Sequence, residues 1–172
     1  LECFEFMAKQ GDADAQYECA VFYEKHINNI DKAFYYYYLA VSNGNNKALD
    51  ALIRYYLFEL DEVPWDNNVL EIFEKAAGNG NIRAQLALAK AYYFGQTGSV
   101  DYGAAYKLFE TAADKDNEEA QYYLGEMYNN GYGVALNKVK AFGFYKVSAQ
   151  KKFKLSWTAL GKMYFYGYGT QI

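Results

Sequence analysis

Ala120-Gln121-Tyr122-Tyr123-Leu124-Gly125-Glu126-Met127-Tyr128-Asn129-Asn130-Gly131-Tyr132-Gly133-Val134 decides how the rest of the chain is read. Leu124, Gly125 and Tyr128 follow Ala120 by four, five and eight residues, which places all four on one face of a helix. Gly131 and Gly133 then supply the left-handed backbone that ends it. The same pattern recurs. With Ala15, Ala48, Ala84, Ala120 and Ser156 set as equivalent, the last three steps are 36 residues each and the first is 33. Tyrosine stands eight residues after every anchor, at Tyr23, Tyr56, Tyr92, Tyr128 and Tyr164. The fourth position holds Cys19, Leu52, Leu88, Leu124 and Leu160, and the fifth holds Ala20, Ile53, Ala89, Gly125 and Gly161. The small residue at the fifth position predicts a close approach between helix backbones.

A second helix follows in each copy. Its anchors are Ala33, Val69, Ala105 and Ala141; an aromatic comes four residues later (Tyr37, Phe73, Phe109, Tyr145) and a small residue seven later (Ala40, Ala76, Ala112, Ser148). Aromatic and small side chains alternating on one face let two helices interlock at short range. Gly11, Gly44 and Gly80 mark the junctions between copies, with Asp116 and Lys152 replacing glycine at the later ones. Asp101 and Asn137 are expected to cap second helices, and Asp31 to do so where the loop around residues 25–30 is three residues short. One copy is irregular: Ile53 occupies the small position, and Leu60 to Asp66 replace the glycine-rich loop, so it is expected to pack differently.

Composition fits a packed helical protein, with 52% apolar residues, 22% charged residues, 20 tyrosines, 12 phenylalanines and a single proline. The chain has a net charge of −4 and reads as lysines and arginines interleaved with acids all along its length, so nucleic acid is not an expected partner. No apolar run reaches the roughly 20 residues that cross a bilayer. Cys3 and Cys19 lack metal-ligand spacing and read as buried thiols, a Cys3–Cys19 bridge being the alternative. The lone His26 reads as an exposed loop residue, and no HExxH, GxSxG or phosphate-binding loop occurs. The sequence therefore predicts no catalytic residues, no metal and no cofactor.

The succession Ala120, Leu124, Gly125, Tyr128, Gly131, Gly133, Val134, Ala141 and Tyr145 resembles the Sel-1-like repeat, a relative of the tetratricopeptide repeat. The resemblance covers nearly the whole chain and implies an all-α, right-handed α-solenoid of stacked helix–turn–helix repeats. Its units are the end of a preceding repeat at 1–11, repeats at 12–44, 45–80, 81–116 and 117–152, and a truncated repeat at 153–172. Leu1 falls inside a helix, so the sequence reads as opening within a repeat and leaves the compartment undecided. With no Asn-x-Ser/Thr triplet and no evident cysteine pairing, the reading leans towards a bacterial source.

The resemblance further implies a non-enzymatic adaptor or scaffold that grips a protein or peptide on its concave face, as a monomer or an oligomer. A groove like that of tetratricopeptide repeats would present Tyr17, Arg54, Lys90, Tyr93, Tyr122, Glu126, Lys162 and Tyr166. Tyrosine and arginine are enriched among residues that dominate binding energy, which favours this stripe as the binding surface. Leu57, Phe58 and Leu86 on the same stripe are expected to pack between repeats. Two alternatives stand behind the scaffold: a bacterial immunity or virulence-related protein that clasps an effector, and a hydrolase of the β-lactam-binding type. Cysteine-rich relatives of the latter kind carry a cysteine pair in each repeat, which this chain lacks.

Overall fold

The computed structural model describes residues 2–59 and 65–168, with side chains from Phe4 onward and excluding 58 and 59. Among these residues the chain is an all-α helical solenoid of ten α-helices: α1 Glu2–Lys9, α2 Ala13–Phe22, α3 Ile30–Ser42, α4 Asn46–Arg54, α5 Asn67–Gly78, α6 Ile82–Phe94, α7 Tyr102–Asp114, α8 Glu118–Asn130, α9 Lys138–Gln150 and α10 Lys154–Phe165. They fall into two compact units, Leu1–Val63 with Asn67–Ile72, and Pro64–Asp66 with Phe73–Ile172.

In the first unit the small–aromatic alternation becomes the core. Ala20, Ala33, Tyr37, Ala40, Ala48, Leu52 and Tyr55 are buried together with Tyr23. Cys19 is a buried free thiol against Ala8 and Ala15, whereas the Cys3 side chain lies outside the described residues. Where the loop is short, α2 continues through a wider helical turn at Tyr23–Ile27 and ends on Asn28 in the left-handed region (φ 54°). This turn shifts the next helix start. Asn29, not the expected Asp31, caps α3, its side chain accepting from the Lys32 amide at 3.0 Å. His26 is exposed, as the sequence suggests, but it lies in this wide helical turn and not in a loop, with its ring 4.9 Å from that of Phe22. A second wide turn, Tyr55–Glu59, extends α4 in the irregular copy; Ile53 there is fully buried, and residues 60–64 of the replaced loop lie outside the described residues.

The second unit repeats the scheme more regularly. Phe73, Phe109 and Tyr145, at the aromatic position, are at most 1% exposed, and Ala105, Ala112, Ala141 and Ser148 are fully buried. At Gly125 the expectation needs correction: its close neighbour is not a helix backbone but the Tyr145 ring, which a Cβ would approach to 2.6 Å. Serines replace alanine at two facing small positions near the end, and they satisfy each other. Ser156 Oγ donates to Ser148 Oγ, which donates to the Glu118 carbonyl, each over 2.6 Å. The turn following each second helix keeps its left-handed residue even where glycine is absent, with Asp116 at φ 71° and Lys152 at φ 69°.

Asp12, Asn45, Asn81 and Asn117 follow the left-handed residues directly, and each side chain accepts from the amide of the small anchor three residues on, at 2.7–3.0 Å. Such caps contribute about 1 kcal/mol each. They start four of the five helices that carry the expected binding stripe, while the fifth, α10, has Phe153 at its N-terminus and no side-chain cap.

Candidate functional site

The first-unit members of the stripe are Tyr17 on α2 and Arg54 at the end of α4. Tyr17 packs against Tyr37 with ring centroids 5.9 Å apart, and Arg54 forms an ion pair with Glu24. The same carboxylate accepts the Tyr37 hydroxyl at 2.5 Å. Burial, followed by the hydrogen bond to Glu24, holds the Tyr37 phenol far above its usual range. Arg54 is thus already committed to an internal partner, which the sequence-based reading did not foresee.

In the second unit, Lys90 on α6 pairs with Glu119 on α8 at 3.1 Å. Tyr93 is more deeply engaged than a surface anchor would be. Its ring meets those of Phe94, Tyr102, Phe109, Tyr123 and Tyr132 at 5.0–6.1 Å, and burial raises its pKa. Leu86 is buried, as expected for a packing residue, whereas Phe94 is exposed; the Phe58 side chain lies outside the described residues.

The remaining four stripe residues converge. Tyr122, Glu126, Lys162 and Tyr166 line one open cavity of about 510 Å³ between α8, α9 and α10. Its other walls include Asn129, Asn130, Lys138 and Tyr168, with Leu155, Ala159 and Met163 forming an apolar strip from α10. Three helices fix this geometry. Gly125 lets α9 lay Tyr145 against α8, and the Tyr145 hydroxyl then donates to Glu126 Oε1 at 2.5 Å. Tyr122 packs on Tyr145 at 5.8 Å and on Phe153 at 5.4 Å. Lys138 is held by Asn129, donating to its carbonyl and side-chain oxygens at 2.8 Å each, and lies 5.2 Å from the Tyr168 ring centroid.

Burial, the Glu126 charge and hydrogen bonding to it push the Tyr122 phenol up to about 12. Burial and the Glu126 hydrogen bond push Tyr145 higher still. Unfolded tyrosines ionise near 10. Because the folded values are raised, the stabilisation they represent is fully present below pH 10 and is lost as pH rises from 10 through 12. Urea midpoints should therefore fall over that range, and a midpoint constant to pH 12 would contradict the assignment.

Chemically, the cavity offers phenol donors, carboxamides, ammonium groups and an apolar strip. Among the described residues, no group of three or more His, Cys, Asp or Glu side chains is placed to hold a metal ion. No helix among them is long and apolar enough to cross a membrane. Such a surface suits binding by shape, ring contact and hydrogen bonds.

The repeat pattern that builds this surface matches the model of the Sel1 repeat over residues 13–45, 82–117, 118–153 and 158–171. The chain belongs to the Sel1 repeat family. Sel1 repeats typically form non-catalytic scaffolds that bind protein partners. Among solved structures, this Sel1 chain is similar to c5321, a protective antigen present in uropathogenic Escherichia coli strains and displaying an SLR fold. The TM-score is 0.73 at 28% identity, over 98% of this chain and 37% of that one. It is also similar to a Sel1 repeat protein from Oxalobacter formigenes, with TM-score 0.72 at 22% identity, over 94% of this chain and 68% of that one. The chain thus spans little more than a third of the length of c5321. None of the curated proteins matches it.

Proposed function

We propose that this Sel1 chain is a non-enzymatic adaptor or scaffold that holds a polypeptide segment in the cavity between α8, α9 and α10. The observation that carries this reading is the convergence of Tyr122, Glu126, Lys162 and Tyr166, four residues of the repeat-defined stripe, on one cavity. Tyr122 and Tyr166 supply broad ring surfaces at low entropy cost, and Lys162 supplies a charged donor at the cavity wall. Tyr17 and Arg54, in the other unit, belong to a separate candidate contact surface. Lys90 and Tyr93 act mainly by supporting their neighbours.

An alanine scan of the eight stripe residues tests this, using a partner identified by co-purification from the source cells and titration calorimetry. Tyr122→Ala and Lys162→Ala are each expected to weaken binding by about tenfold or more with helicity unchanged. Unchanged affinity across all eight variants would overturn the assignment. A second reading is a bacterial immunity or virulence-related protein whose bound partner is an effector or a host protein; c5321, similar in fold, is a protective antigen of uropathogenic strains. The identity of the co-purified protein separates the two.

A further inference from the structure

The chain's charge is strongly polarised. Glu126 is the last carboxylate in the sequence, so all 21 acidic residues lie in residues 1–126, against ten of the 17 lysines and arginines. The other seven basic residues, Lys138, Lys140, Lys146, Lys151, Lys152, Lys154 and Lys162, share residues 127–172 with no aspartate or glutamate. The expected interleaving along the whole chain is therefore wrong beyond Glu126, where only basic residues remain. Both α9 and α10, which wall the cavity, lie in this carboxylate-free stretch.

The placement of these lysines gives the asymmetry a site. Lys154, Thr158 and Lys162 follow at intervals of four along one face of α10, continued by Tyr166. Thr158, Lys162 and Tyr166 line the cavity. Lys151 is tied to Asp116, and Lys138 is held by Asn129. Lys154 and Lys162 are exposed and form no ion pair among the described residues. Among the described residues that line the cavity the one carboxylate is Glu126, which accepts from the Tyr145 hydroxyl. The cavity lining thus carries two ammonium groups, Lys138 and Lys162, against the one carboxylate of Glu126, beside an apolar strip of Leu155, Ala159 and Met163, and Lys154 adds a third positive charge on the same face of α10.

We propose that the segment bound here is acidic: a stretch of polypeptide carrying Asp or Glu side chains towards Lys162 and Lys154, with apolar side chains over the α10 strip. This rests on the protein-binding reading and specifies its partner class. A short peptide keeps its charge inside the lysine patch. A nucleic-acid strand or an anionic bilayer extends beyond one screening length, about 8 Å in physiological salt. A longer polyanion would therefore also meet Asp114 and Glu118, carboxylates that the same unit carries at the end of α7 and the start of α8 outside the ion pairs of Asp116 and Glu119. The concave, ring-lined cavity likewise suits a chain better than a flat surface.

The test uses a fluorescein-labelled peptide of one Glu-Glu-Tyr-Leu unit, short enough to stay over the lysine patch, and its counterpart with Gln for Glu, read by anisotropy. Oligothymidylate and phosphatidylserine-containing vesicles serve as competing polyanions. The acidic peptide is expected to bind about tenfold or more tightly than the Gln peptide, and to weaken as salt rises. The double variant Lys154→Glu, Lys162→Glu should lose about tenfold or more, and Lys107→Glu, exposed on α7, should bind as the parent does. Equal binding of the Gln peptide, abolished by Tyr122→Ala, would overturn the acidic preference while leaving the protein-binding reading intact. Failure of the acidic peptide to bind, or preferential binding of oligothymidylate or vesicles, would also overturn the proposal.

Discussion

Replacing Phe109 with alanine is expected to lower the stability of the second unit by about 3–5 kcal/mol, the usual cost of emptying a large aromatic site that cannot collapse. Phe109 is fully buried, its ring stacked on Tyr123 at 4.8 Å and 10° and set edge-on to Tyr93 at 6.1 Å. Tyr93 meets four further rings, so neighbours cannot close the void without separating from one another. Chemical denaturation reads the loss directly. For a unit of this size each kcal/mol corresponds to roughly 4–8 °C in midpoint, so the thermal transition should move by more than ten degrees. Phe165→Ala provides the contrast: that side chain is 83% exposed, and its removal should stay within about 0.5 kcal/mol. A Phe109→Ala loss below 1 kcal/mol would mean that the ring cluster is not the core of the unit.

The helix pairs were legible because burial repeats with the helix period: Ala120, Leu124 and Tyr128 on one helix and Ala141, Tyr145 and Ser148 on the next share a face whatever lies around them. The caps were equally available, since an Asp or Asn stands three residues before four of the five anchors, but a polar residue after a turn looks like ordinary loop until its partner amide is known. Asp31 yields the cap position to Asn29 for a related reason. A local wide turn at Tyr23–Ile27 moves the helix start back to Asn29, and no residue spacing announces that turn. The site was only half legible. Offsets from the anchors selected Tyr122, Glu126, Lys162 and Tyr166, which do meet, but could not show that Arg54 and Lys90 pair with carboxylates 30 and 29 residues away. Those pairings depend on how successive helices stack, which a single repeat does not encode. The charge polarity is plain in the order of residues, since acids and bases alternate only as far as Glu126 and a reading of interleaving along the whole chain overlooks the lysines that follow.

Gly125→Leu should destabilise the second unit by about 3 kcal/mol and disable the cavity with it. A Cβ at this position would lie 2.6 Å from two ring carbons of Tyr145 and 3.2 Å from a third, so even alanine must displace the ring. Tyr145 cannot simply swing away: it is 1% exposed, and its hydroxyl is held by Glu126. Displacing it also moves the support beneath Tyr122, which packs on it at 5.8 Å. Stability and peptide binding should therefore fall together. Gly161 occupies the same repeat position on α10, yet a Cβ there would meet nothing within 4 Å. Gly161→Ala should instead raise stability by roughly 0.5–1 kcal/mol through helix propensity alone. Opposite signs at equivalent positions, measured by urea denaturation, are the signature of a glycine kept for the Tyr145 ring in one helix and free of that constraint in the other. If Gly125→Ala also stabilised the unit, the tight fit of Tyr145 against α8 would have to be abandoned as the element that builds the cavity.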